Sequence, residues 1–232
     1  MRAALVSDPD WEVAVPLAAT AGADLICLPL LSFSSYVASD LNRASYEEAE
    51  RPPSAKWRRG VELADGAWLA ASPYESEGEG VFYLSGRLGR LGSTDNLLWR
   101  QSLPEGAPGR YEAMFWTPGH GSVETVTVEG WEVALMLGAE LRDPSCWEAL
   151  ASAGASLVVG ASADTADLWE ETVRIAEGMS TAHGMAVVVA NRAPQPSGPD
   201  FAGGTLALSA AGESLAESSP GIFDLSSEPA RP

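Results

Sequence analysis

The sequence predicts one domain of layered α/β architecture built on mixed sheets, and three observations point there. Short, mainly apolar runs such as ADLICLP (23–29), ASLVVGAS (155–162) and MAVVVANR (185–192) read as buried strands. Helical stretches alternate with such strands at both ends of the chain, and hairpin patterns occupy the middle.

Each element can be justified in order. AALV (3–6) is a first strand, followed by a helix from about Asp8 to Thr20 that Gly22 ends. ADLICLP is the second strand. Residues 40–65 are charged and rich in alanine, and PPS at 52–54 breaks them, which suggests a helix with an interrupted start. AWLAAS (67–72), VFYLSGR (81–87) and NLLWRQ (96–101) are successive strands, the first two parted by the acidic turn ESEGEG (75–80). SVETVTVEGWEVALML (122–137) alternates about Glu129-Gly130 as a hairpin does, and its second half becomes fully apolar. In DPSCWEALASAG (143–154), Asp143 suits an N-cap, Pro144 the first helical position and Gly154 the stop. ASLVVGAS is a buried strand, ADLWEETVRIAEGMSTAHG (166–184) an amphipathic helix ending at His183-Gly184, and MAVVVANR a strand. GGTLALSAAGESLAES (203–218) reads as a hairpin with Gly212 in its turn. The domain is expected over 1–225, with 226–232 a polar tail, loose or docked on a neighbour.

Composition narrows the function. Of 232 residues, 14 are Lys or Arg and 32 are Asp or Glu, a net charge of −18, which disfavours phosphate backbones and anionic membranes. No apolar run approaches the roughly 18 residues that cross a bilayer, and the apolar stretch near the N-terminus is too short for a signal peptide, so a cytoplasmic location is expected. Cys27 and Cys146 are too few for a disulfide framework or a zinc site, and Cys27 reads as an inert core residue. His120 reads as a turn residue and His183 as a helix-terminal one, so no metal is expected; with no phosphate or dinucleotide fingerprint, no cofactor is expected either.

Five segments, in order, carry a family resemblance: GADLICLPLLSFSSY (22–36), WRQSLPEGAPGRYEAMFWTPG (99–119), WEVALMLGAELRDP (131–144), WEETVRIAEGMSTAHGMAVVVANR (169–192) and FAGGTLALSAAGESLAES (201–218). Together they resemble the nitrilase superfamily, the carbon–nitrogen hydrolases that cleave nitriles, amides and carbamoyl groups. The resemblance implies a four-layer α-β-β-α sandwich, usually paired through helices into a dimer. It also implies a Glu-Lys-Cys triad. The glutamate position is Leu30, the lysine aligns with Arg100, and the cysteine position is Gly138. In the family a thiolate attacks carbon, the glutamate moves the proton and the lysine stabilises the charged intermediate. Glycine has no nucleophile, leucine takes no proton, and arginine stays protonated with a broader, forked head.

Two carboxylates remain candidates. Glu112 matches the additional glutamate that many members carry, and Glu140 stands two residues past the cysteine position. Either they are structural, with Glu112 paired to Arg100 and Glu140 bonded to nearby backbone or Arg142, or they act with Arg100 and Tyr36 in a retained pocket as ligand holders or as acid and base. The aromatic set Trp99, Tyr111, Phe115 and Trp116 reads as core or pocket wall, and Cys146 lies past the nucleophile turn. The resemblance therefore implies a pseudoenzyme that binds a small polar ligand or serves as a partner subunit, in a homodimer or a heteromer with a related chain. The alternative is an enzyme of altered chemistry on an amide- or amine-bearing molecule.

Overall fold

The computed structural model describes residues 1–8, 10–78, 80–94, 96–195, 199–219 and 221–225. The expected polar tail at 226–232 lies outside them. The strands are β1 (Arg2–Leu5), β2 (Leu25–Cys27), β3 (Trp68–Ala71), β4 (Tyr74–Gly78), β5 (Val81–Gly89), β6 (Leu97–Arg100), β7 (Val126–Val128), β8 (Trp131–Leu137), β9 (Leu157–Ser162), β10 (Ala186–Asn191), β11 (Thr205–Leu208), β12 (Glu217–Ser219) and β13 (Ile222–Asp224). The helices are α1 (Trp11–Thr20), α2 (Ala55–Leu63), α3 (Glu112–Phe115), α4 (Pro144–Ser152) and α5 (Ala166–His183).

Two sheets form the centre. One has the order β12-β13-β1-β2-β3-β5-β4, with β6 also paired to β5; the other runs β11-β10-β9-β8-β7. Because strand side chains alternate between faces, each central strand serves two cores. Leu5, Leu25, Cys27 and Trp68 meet Val133, Leu135, Val159 and Val188 between the sheets. Ala4, Ile26 and Leu69 face α1 and α2. Met136, Val158, Val187 and Val189 face α4 and α5 around Trp147. The resulting order is α-β-β-α, the expected architecture.

Local signals set the helix ends as anticipated. Asp143 accepts from the Ser145 amide ahead of Pro144, and Gly184 closes α5 at φ 65°, a left-handed conformation that glycine adopts without strain. Three readings need correction. The supposed turn at 75–80 is mostly β4, antiparallel to β5, because Glu75 is buried on Arg87 and so stays in the sheet. The hairpin at 203–218 turns at Gly212, but its return leg crosses to the other sheet as β12, which pairs β13, and β13 pairs β1; three-residue β13 was too short to show a period. Residues 43–48 form a 3-10 turn separate from α2, which starts on the Ser54 cap.

Trp147 is fully buried between α4 and its sheet, and its indole N–H donates to the Leu141 carbonyl at 3.0 Å. Trp147→Ala is expected to cost about 3–5 kcal/mol and to lower the midpoint of thermal unfolding by on the order of 10 °C. A calorimetric shift of a degree or two would contradict this placement of the α4 core.

Candidate functional site

Strand ends converge at one end of the sandwich. β2 runs through Leu28 and Pro29 into Leu30 and Leu31, and the Leu30 amide donates to the Ser162 carbonyl at the end of β9, 3.2 Å away, tying the two sheets together. Leu31 takes a φ of 55°, unusual for a residue with a Cβ. Arg192, at the end of β10, holds this bend: its guanidinium donates to the carbonyls of Leu30 (3.0 Å), Leu31 (2.8 Å) and Ser34 (2.8 Å). Burial lowers the Arg192 pKa to about 10, which still leaves it charged at neutral pH. β8 runs into Gly138, whose φ of 54° likewise suits glycine.

The structure corrects the alignment of Arg100. Its side chain leaves the site, ion-pairs with Glu77 and lies over the Tyr83 ring, 3.9 Å from the ring centroid. No Arg100–Glu112 pair forms. The neighbouring residue, Gln101, turns inward. Strand alternation explains it: Leu98 is exposed and Leu97 buried, so Arg100 shares the face of Leu98 and Gln101 shares that of Leu97.

Gln101 is fully buried and bonded at both ends of its amide. Its Oε1 accepts from the Trp116 indole at 2.6 Å, and its Nε2 donates to Glu112 Oε2 at 3.3 Å and to the Leu137 carbonyl at 3.4 Å. A Cβ built on Gly138 would lie 2.8 Å from that Nε2 and 3.7 Å from Leu30 Cδ2. Leu30, Gln101 and Gly138 therefore meet at one point, and the Gln101 amide occupies the space a side chain on Gly138 would need. Three cavities of about 530, 270 and 230 Å³ border the described residues elsewhere, and none is lined by Leu30, Gln101, Glu112 or Gly138.

Glu112 and Tyr36 lie side by side. The Tyr36 hydroxyl donates to Glu112 Oε1 at 2.7 Å, and the Glu105 amide donates to Oε2 at 3.0 Å. Burial raises the Glu112 pKa, opposed by the Glu105 amide, Arg110 and Tyr36; burial and the Glu112 charge push Tyr36 up as well. The cation beside Glu112 is Arg110, at 3.9 Å. Arg110 also pairs with Glu105, lies 3.5 Å from Asp164 and donates to the Ala163 carbonyl at 2.7 Å. Arg142 pairs with Glu105 and with Asp164 at 2.8 Å, so it does not serve Glu140. Sequence reasoning missed Gln101, Arg110 and Asp164; the last two lie 54 positions apart, and no local pattern links them.

Glu140 sits apart from this cluster. Its carboxylate accepts from the Leu137 amide (2.8 Å), the Ser102 amide (2.6 Å) and hydroxyl (2.7 Å), and the Trp99 indole (2.9 Å). Burial raises its pKa while these donors pull it back. With its oxygens so engaged, Glu140 ties β8 to the end of β6. Cys146 is half-buried near the start of α4, and burial with the Glu140 and Asp143 charges pushes its thiol up to about 11, the opposite of a nucleophile's tuning. Among the described residues no group of three or more His, Cys, Asp or Glu is placed to hold a metal. No described helix is long and apolar enough to cross a membrane.

Removing Arg110 leaves buried Glu112 without a cation and takes one of two from Glu105 and Asp164, so Arg110→Met is expected to cost about 3–5 kcal/mol. Arg100→Met, which removes a partly solvated surface pair, is expected to cost under about 1 kcal/mol. Denaturant titrations of both variants separate the assignments, and equal losses would contradict them. Glu112 also contributes a pH dependence. Its folded pKa lies above the reference value of 4.5, so the folded state holds a proton there that the unfolded chain gives up first, and stability falls as pH rises from about 4.5 through the folded pKa. Across that window Glu112→Gln should gain stability relative to the unchanged protein; a gap independent of pH would refute the burial of an ionisable Glu112.

No model of a protein family matches the chain, and no curated protein is similar to it in sequence. Solved structures are similar throughout. A double mutant of the amidase from Nesterenkonia sp. AN1 in complex with acrylamide superposes at a TM-score of 0.82 with 21% identity, covering 98% of this chain and 91% of that one. A single mutant of the same amidase, from the nitrilase superfamily, gives 0.81 with 22% identity over 97% and 92%. A carbon–nitrogen hydrolase from Helicobacter pylori G27 gives 0.76 with 21% identity over 92% and 82%. The protein therefore has the α-β-β-α fold of nitrilase-superfamily amidases.

Proposed function

We propose that this chain is a nitrilase-fold pseudoenzyme: it does not carry out the superfamily's covalent hydrolysis, and it serves as a ligand-binding or partner subunit, in a homodimer or with a related chain. One observation carries the reading. Where Leu30 and Gly138 approach each other, the space is taken by the Gln101 amide, 2.8 Å from the Cβ that Gly138 lacks. Leucine, glutamine and glycine at this point supply no nucleophile, no base and no ammonium. A variant of the Nesterenkonia amidase shows covalent addition of the acetamide moiety of fluoroacetamide at its active-site cysteine. That bond needs a thiolate at the turn, and glycine offers none.

The alternative, acid–base chemistry by Glu112 or Glu140, has less support. Glu112 accepts from Tyr36, Gln101 and the Glu105 amide, and Glu140 from Leu137, Ser102 and Trp99, so neither presents a free oxygen to a substrate. A general base needs a hydrogen-bonding approach to the proton it takes.

The test uses the purified full chain at neutral pH with acrylamide, butyramide and fluoroacetamide. Intact-mass spectra are expected to show no adduct, and ammonia release is expected to match the protein-free blank. Turnover that disappears in Glu112→Gln, or an adduct on any residue, would overturn the proposal.

A further inference from the structure

β8 pairs with β9 from Val133 to Leu137, but on its other edge β7 reaches only to Val133. Backbone parity identifies what the remaining edge presents. The Glu132 carbonyl accepts from the Ser156 amide at 2.8 Å and its N–H donates to the Ser156 hydroxyl at 2.9 Å, so Glu132 faces β9. Successive residues of a strand direct their backbone groups to opposite neighbours, so Val133, Leu135 and Leu137 face away from β9. Val133 meets Val126 in β7. Leu137 is served by Glu140 at its N–H and by Gln101 at its carbonyl. Between them the N–H and C=O of Leu135 face the uncovered edge, in a residue only 6% exposed. Backbone groups buried to that degree are almost always paired.

A cavity of about 230 Å³ lies against this edge. Leu135, Met136, Leu150 and Val123 supply apolar wall, while Cys146 and Glu140 stand among its polar lining. We propose that the cavity is a binding site for a small neutral molecule carrying a primary or lactam carboxamide on an apolar body. The carbonyl and syn N–H of such a group point the same way. They match the N–H and C=O of one extended residue, which also lie side by side. The Glu140 charge and a net charge of −18 disfavour a carboxylate in the same place. The volume falls below the ~300–1,000 Å³ of drug-sized pockets and suits a single-ring compound. This cavity is separate from the point where Leu30, Gln101 and Gly138 meet, so the inference stands whether or not catalysis occurs there.

The test titrates the full chain with benzamide, N,N-dimethylbenzamide and toluene, following backbone amide resonances. Benzamide should shift the Leu135 amide saturably. Dimethylbenzamide, which has no N–H, and toluene, which has no amide, should bind at least tenfold more weakly. Ala149 is an exposed residue of α4 that also lines the cavity, so Ala149→Phe should fill the mouth and weaken benzamide at least tenfold. Bound benzamide should also slow alkylation of Cys146 in the unaltered protein, a readout that needs no variant. Equal binding of toluene would make the cavity merely apolar, and no saturable shift at Leu135 up to the solubility of benzamide would overturn the site. Sedimentation showing a dimer in which Leu135 is already shielded would assign the edge to a second copy and overturn it equally.

Discussion

The arrangement at the strand ends depends on one buried ionic lattice. Arg110 and Arg142 lie among Glu105, Glu112 and Asp164, and all five are largely or wholly withdrawn from solvent. Charges in such a setting persist only when their partners and hydrogen bonds are in place. Asp164 meets that demand from three directions: Arg142 at 2.8 Å, the Thr172 hydroxyl at 2.8 Å, and its own amide on Asn191 Oδ1 at 2.7 Å. The lattice thereby joins the segment after β6, the end of β9, α5 and β10. The position of Glu112, and through it Gln101, follows.

Gln101 is the pivot between that lattice and the point where Leu30 and Gly138 meet. Its neutral amide satisfies Trp116, Glu112 and the Leu137 carbonyl together. Leu30 then packs with Leu137, Phe115 and Trp116 at this end of the core. Leu30 brings no charge to this interior, the Gln101 amide is satisfied at both ends, and Gly138 leaves the volume that amide needs. Such mutual consistency is what a stably packed interior requires.

The two glutamates that the sequence singled out have different tasks. Glu112 belongs to the ionic lattice, with Tyr36 as its closest hydroxyl donor. Glu140 is a tie between β6 and β8, standing in for a missing neighbour strand by accepting the Leu137 amide. Its reach stops there, and the strand edge at Leu135 beside it is left to the adjoining cavity.

How much of this was legible in the chain varies by the range of the interaction. Apolar runs, caps and the hairpin at Glu129-Gly130 are local, so element types and the layered architecture could be read directly. The parity of β6 was not legible, since Leu97 and Leu98 are alike and Arg100 and Gln101 are both polar. Only the tertiary structure decided that Arg100 turns to Glu77, that Arg110 and Arg142 share Asp164, and that β13 returns to β1. Those outcomes depend on which groups from distant segments reach each other once the sheets close. A buried charge is settled by the nearest partner in space, which the order of residues along the chain does not record.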